Sequence, residues 1–379
     1  MKTLTVFAEE PEEELWRMLL QYSYEANIRR YYTENHVTPS DDVEELANCI
    51  SGALLQADEY YKASKTVSLQ VEPLLLYYGT TNLFYAMCAL MTGKIPSIEN
   101  HGMCIELVED SDKQFIADTR LTFQNPSSGG IHVFAKQLGC GINFCDYRTW
   151  DLFDFLDSIA EVKYDFERCY TDRTSCVLPL QSFITSEGVI EKAFVDEDKE
   201  ESTLNAIEGF SSAYLMPQRI PDHNGESYIV LRRKPAGKDI RPASLSGQSY
   251  LLAGHKKNGK PVTIPSELSM YIALFALSSL CRYYPAKWNP FVTKDSTGER
   301  LIVEKLLYYS RRTLPNIVLN RIQDQSVLFV SERYEPENRV QLVGEHEAKE
   351  LVDKEVRFEL KRQLIRNASQ SVRNGFNGR

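Results

Sequence analysis

The chain has 379 residues, is 43% hydrophobic and carries a formal charge of -10. That length and apolar content suffice for a sizeable core, in one large domain or two to three smaller ones, so disorder is not the default. The acidic balance excludes a basic sleeve for nucleic acid and adhesion to an anionic membrane, so any polyanion site has to be local.

Met1 to Glu14 lack the charged, apolar and small-residue succession of a secretory signal, and the stretch turns acidic from Glu9, which argues against export. Leu15, Met18, Leu19 and Tyr22 share one face of a first predicted helix. Val43, Leu46, Ala47, Ile50, Ala53, Leu54, Ala57, Tyr60 and Tyr61 recur at three- and four-residue steps in a second. A third helix starts at Pro73, whose missing N–H costs nothing in a first turn, and ends at Gly93, which accepts a left-handed backbone. Its apolar residues, from Leu74 to Leu90, cover most of the circumference, which predicts a central core helix. Tyr77, Tyr78, Gly79, Thr80, Thr81 and Asn82 interrupt the run and argue against a membrane span.

From His101 the texture changes to short β-branched and aromatic runs separated by turn signals: Glu109 to Asp112, Ser127 to Gly130, Ser186 to Gly188 and Asp222 to Gly225. Asn258-Gly259 predicts a two-residue turn joining Tyr250-Leu251-Leu252 to Val262-Thr263-Ile264. One short helix is expected over Thr149–Ala160. A second almost wholly apolar helix begins at Ser266 and stops before Pro285. An amphipathic helix follows over Glu299–Arg312, interrupted at Pro315, and Val327–Val330 predicts a last strand.

Two buried helices so far apart in sequence each need a partner, so they are expected to pack on one another. The fold class that follows is α+β, a helical bundle of N- and C-terminal helices around a β-rich inserted middle. The expected divisions are 1–100, 101–264, 265–325, and a tail over 326–379 of one strand and a charged helical or disordered segment. Eight scattered cysteines without a C-x-x-C pair predict reduced thiols of a cytoplasmic protein, with no metal site and no cofactor.

Tyr60-Tyr61-Lys62-Ala63, Glu72-Pro73-Leu74-Leu75-Leu76-Tyr77-Tyr78-Gly79 with Asn82-Leu83, His101-Gly102, Ser278 to Tyr283 and Trp288 together resemble the YaaC-like family of bacterial proteins. Pro315-Asn316 and Leu319-Asn320 extend the resemblance, which covers about residues 10 to 325. It implies no established reaction. Met103-Cys104-Ile105-Glu106 departs from the family pattern, where basic residues are expected after His-Gly.

Several residues carry candidate chemistry. His101, in a loop, has the pKa range of a general acid or base, or else pins its turn by a structural hydrogen bond. Tyr77, Tyr78 and Asn82 make a polar notch in an apolar helix, and Arg282 with Tyr283 closes the other buried helix. A guanidinium facing the notch makes a pocket for a carboxylate or phosphate; the plainer alternative is that it caps its own helix or pairs with an acidic neighbour. Arg29, Arg30 and His36 satisfy the R-x(4–6)-H spacing of HEPN ribonucleases, which cut RNA without metal as homodimers, although chance supplies roughly one such spacing in a chain this long. Arg232, Arg233, Lys234, Lys238, Arg241, Lys256, Lys257 and Lys260 form a local basic region, read either as a phosphate surface or as a solvated sheet edge. Gly139-Cys140-Gly141 is a truncated phosphate loop without its last glycine. Two classes of function stand: a binding protein for a small anion, an RNA or a protein, and a HEPN-like RNase of stress or phage response.

Overall fold

The computed structural model describes residues 2–330 apart from 109–114, 117–118, 125–128, 148, 186–187, 222–226, 235–236, 243–248 and 258–259. The chain opens with a strand that periodicity does not announce, β1 (Lys2–Phe7), then the helices α1 (Pro11–Leu20), α2 (Glu25–Glu34), α3 (Val43–Ser64) and α4 (Glu72–Thr92). Asp42 caps α3 by accepting from the Glu44 and Glu45 amides. Leu15, Trp16 and Leu19 of α1 and Leu46, Ile50, Leu54, Ala57 and Tyr61 of α3 are buried, each large apolar side chain contributing about 1.5–3 kcal/mol. Pro73 lies in the first turn of α4, and Gly93 ends it at φ 62°, its amide donating to Ala89 O at 3.0 Å.

The middle is more helical than its texture predicts. Strands β2 (Met103–Leu107) and β3 (Thr119–Phe123) pair antiparallel, and α5 (Gly130–Gln137) follows where a hairpin turn is expected at Ser127 to Gly130. The helix predicted over Thr149–Ala160 is instead a two-residue strand, β4 (Trp150–Asp151), and a single turn, α6 (Phe153–Leu156). Trp150, Phe155 and Phe144 stack into the core here, and packing of those rings outweighs a regular helix. Next come α7 (Lys163–Cys169), β5 (Val177–Thr185), β6 (Gly188–Ala193), α8 (Glu200–Asn205), α9 (Phe210–Ala213), β7 (Gln218–Pro221), β8 (Ser227–Arg232) and β9 (Ser249–Leu252). They build an antiparallel sheet of order β7-β8-β6-β5-β9 with a small core of its own around Leu180, Ile229, Leu231 and Leu251.

Tyr250 to Leu252 therefore pair with Val177 to Pro179 and not with Val262 to Ile264. The hairpin around Asn258-Gly259 is formed by β10 (His255–Lys257) and β11 (Lys260–Val262), with the turn itself outside the described residues. The predicted turns at 109–112, 186–187 and 222–225 also lie outside them, and antiparallel partners flank each one.

Helices α10 (Ser266–Tyr283), α11 (Pro285–Lys294) and α12 (Glu299–Gln323) complete the bundle. Pro315 does not interrupt α12. Leu314, Val318 and Leu319 are buried around it, and their packing holds the helix through a residue that costs about 3 kcal/mol. Strand β12 (Gln325–Val330) then pairs in parallel with β1, Lys2 opposite Gln325 and Phe7 opposite Val330. Asn320 accepts from the Val327 amide at 2.8 Å and donates to Asn316 at 3.1 Å, so the two asparagines of the resemblance fix the last strand to α12. Met1–Val330 form one compact unit; the predicted tail beyond it lies outside the described residues.

Helices α4 and α10 share the main core. The Tyr271 ring stands 5.5 Å from Tyr77 and 5.4 Å from Phe84, and Phe275 is 5.5 Å from Tyr77. Helix α4 is long and apolar enough to cross a bilayer, yet most of its surface is buried against these neighbours. Glu72 at its start pairs with Arg311 of α12 at 2.6 Å, and buried Glu299 at the start of α12 accepts from Tyr170 and the Ile116 amide.

Candidate functional site

Tyr77 and Thr81 lie one turn apart on α4 and face Tyr271, which sits eleven residues before Arg282 on the same face of α10. Thr81 and Tyr271 hydroxyls are 3.3 Å apart, Tyr271 and Tyr77 hydroxyls 3.4 Å, and Tyr77 Oη is 2.6 Å from His101 Nδ1. Burial raises both phenols, Tyr271 to about 12, so both are protonated at neutral pH. The Tyr77 hydroxyl can therefore donate to Nδ1, which leaves the hydrogen of a neutral imidazole on Nε2. Burial, and then the positive charge of Arg282, lower the His101 pKa from its usual range.

The loop that carries His101 is tightly held. Gly102 has φ 75°, and a Cβ there would meet Ile131 Cγ2 at 2.9 Å, so glycine is required beside the histidine. Asn100 Oδ1 accepts from the Gly102 amide, and the Ile131 amide donates to His101 O, tying the loop to the start of α5.

Arg282 Nη1 donates to Tyr78 Oη at 2.7 Å, and its guanidinium lies over the rings of Tyr78 and Tyr283, 5.6 and 4.6 Å from their centroids. Tyr60 of α3 also stacks on Tyr78. Arg282 Nε is buried and has no hydrogen-bond partner, and among the described residues no carboxylate pairs with this arginine. Accepting from Arg282 leaves the Tyr78 hydroxyl hydrogen available to a ligand. Arg282 also lies in the last turn of α10, where a cation is favoured by the helix dipole.

Tyr77, Tyr78, His101, Arg282 and Tyr283 are thus brought together, and Asn82 is not. Five residues beyond Tyr77, at about 100° each, turn it toward α3, where it donates to Gln56 at 3.2 Å. Sequence reasoning missed Tyr271 and Thr81 as polar members of the group. The signal was present, since Thr81 is one turn from Tyr77 and Tyr271 three turns from Arg282.

The other candidates fare differently. Arg30 and His36 are both exposed, His36 lies past the end of α2 at φ 53°, and no hydrogen bond joins them among the described residues. Neighbouring Arg29 pairs with Glu25 at 2.6 Å. In the basic region, Arg233 and Arg241 pair with Asp239, Arg241 also reaches buried Glu191 at 2.9 Å, and Lys234 bonds Ser211 O. These cations are engaged within the protein. A cleft of about 1220 Å³ lies away from the notch, lined in part by Gly139, Gly141, Lys238 and Arg321. Its wall also carries Asp146, Glu208, Glu267 and Asp324, and Arg321 is already paired with Glu267, so it offers an anion little.

A family model described as YaaC-like Protein matches residues 20–322. The chain belongs to the YaaC-like family. No curated protein and no solved structure matches it. In this YaaC-like chain the residues of the resemblance divide by role: Gly79 and Gly102 allow close approach, Asn316 and Asn320 hold a strand, and Tyr77, Tyr78, His101 and Arg282 gather at one place.

Proposed function

We propose that this YaaC-like protein is a cytoplasmic, non-catalytic binding protein that seats a small anion, or the phosphate of a nucleotide, on Arg282 between the two buried helices. The observation that carries the reading is a guanidinium that no carboxylate among the described residues neutralises, with a buried Nε that makes no hydrogen bond to them, in a chain of formal charge -10. Stacking between two tyrosines presents the planar fork in one orientation, which suits bidentate contact with phosphate or carboxylate. The Tyr78 hydroxyl and the Nε2 hydrogen of His101 add neutral donors. On this reading residues 101–264 are an insertion between the helical halves 1–100 and 265–325, and their contribution to the site is the His101 loop.

Thermal unfolding with inorganic phosphate and with ATP tests the assignment. Either anion at about a hundred times its dissociation constant should stabilise the parent by about 2.7 kcal/mol. Arg282→Ala should lose that increment and keep the ligand-free melting temperature, because the arginine makes one side-chain hydrogen bond. Equal loss of ligand-free stability, or an unchanged ligand response, would establish the helix-capping alternative.

A further inference from the structure

Asp157, Cys176 and His255 are far apart in sequence, on the segment after α6, just before β5 and at the start of β10, and their side chains converge in the half-buried seam between the helical core and the five-stranded sheet. His255 Nε2 is 3.2 Å from Asp157 Oδ1, Cys176 Sγ is 3.6 Å from Asp157 Oδ2, and Sγ is 3.8 Å from Nε2. A tetrahedral zinc ion with ordinary bond lengths holds its nitrogen and oxygen ligands about 3.4 Å apart, and its sulfur about 3.6 Å from either. The contacts are of that size, with Oδ1 toward the nitrogen and Oδ2 toward the sulfur; Sγ lies 3.7 Å from Nδ1 as well, so the thiolate turns outward from the ring when one ion takes all three. Asp154 Oδ1 lies 3.7 Å from Nδ1, near enough to become the outer carboxylate of a metal-bound imidazole after a small closing movement.

A second observation points the same way. Asp157 Oδ1 is buried and makes no hydrogen bond, although it lies within ion-pair distance of the imidazole. Its partner is the imidazole 3.2 Å away, and an ion bound between the two would give this oxygen a direct bond in place of that contact. The backbone is also set in advance: Cys176 N and Ser175 Oγ donate to Asp157 O, and Ala253 N donates to Cys176 O.

We infer that Asp157, Cys176 and His255 form a binding site for one zinc-class divalent ion, with Asp154 as the outer carboxylate, tying the helical core to the sheet. Mixed nitrogen, oxygen and thiolate donors select zinc or cobalt over magnesium or calcium, which take oxygen alone. The ligands are a thiolate and a neutral imidazole, so binding is coupled to proton release and strengthens as pH rises. A cysteine nucleophile is the rival reading of the same side chains. Sγ stands 3.7 and 3.8 Å from the two ring nitrogens, and metal uptake by the unmodified chain separates the two readings.

Titration of the full, metal-stripped chain with cobalt decides the matter. One equivalent should bind with a thiolate-to-cobalt charge-transfer absorption and release protons. Cys176→Ser should abolish that absorption, and Asp154→Asn should weaken zinc about 10- to 100-fold, with circular dichroism checking each fold. Absence of the band in the parent overturns the site without any variant. A band of full strength in Cys176→Ser overturns it as well, because another of the eight cysteines would then be the ligand.

Discussion

The notch at Arg282 and the cluster at His255 each set a histidine among polar partners, and they shift it in opposite directions. At His101 burial lowers the pKa and the neighbouring guanidinium lowers it further, so the imidazole is neutral. At His255 burial also lowers it, but Asp157 and Cys176 outweigh burial and push it up to about 11. Desolvation has the same sign in both places; the charge of the nearest neighbour decides the outcome. One histidine is poised to donate to an anion, and the other is a cation awaiting exchange.

The largest effect that can break this contrast belongs to His255. His255→Leu should destabilise the metal-free chain by about 3 kcal/mol, the lower end for a buried pair, in urea unfolding at pH 7, because it strips half-buried Asp157 of its counter-charge. A folded pKa above the free value of about 6.5 means that the stabilisation is complete below that pH and is lost as pH rises toward about 11. The parent and His255→Leu should therefore converge in stability between pH 7 and 10; a constant gap would show that packing, and not charge, is responsible.

A smaller effect sharpens the notch. A Cβ on Gly79 would stand 2.8 Å from Tyr61 Cδ2 and 3.0 Å from Tyr60 Cβ, so Gly79→Ala should cost about 1–3 kcal/mol and push α3 away from α4. Since Tyr60 stacks on Tyr78, anion binding should weaken in the same variant, as read by the phosphate-induced melting shift.

The smallest effect is the pH response of His101, which runs the other way. Its pKa is lower folded than unfolded, so the unfolded chain takes up the proton first, and stability present above about pH 6.5 is eroded as pH falls. His101→Gln should flatten the fall in urea midpoint between pH 7 and 5.5; a steeper fall in the variant would reverse the assignment.

The same contrast explains what was legible in the sequence. Helices α3, α4 and α10 announce themselves because their apolar residues recur at helical spacing, and within α4 the one-turn steps from Tyr77 to Thr81 place side chains without any structure. Partnering of α4 with α10 follows from two greasy helices each needing cover. Nothing comparable marks Asp157, Cys176 and His255, which meet only once α6, β5 and β10 are folded, so eight scattered cysteines read as inert thiols. Local rules also failed where tertiary packing overrode them, as at Pro315 inside α12 and at Trp150 in a stretch that reads as helix. Asn82 looked like its neighbours in sequence and was separated from them by helical rotation alone.

The parallel clasp of β1 on β12 has a bearing on how the molecule is made. Its two partners are separated by more than three hundred residues, so on the ribosome the first strand waits, edge uncovered, until the last one has emerged. Synthesis, not chain collapse, then sets when this body is closed. A ribosome stalled short of residue 325 leaves β1 an open edge for another nascent chain to pair with.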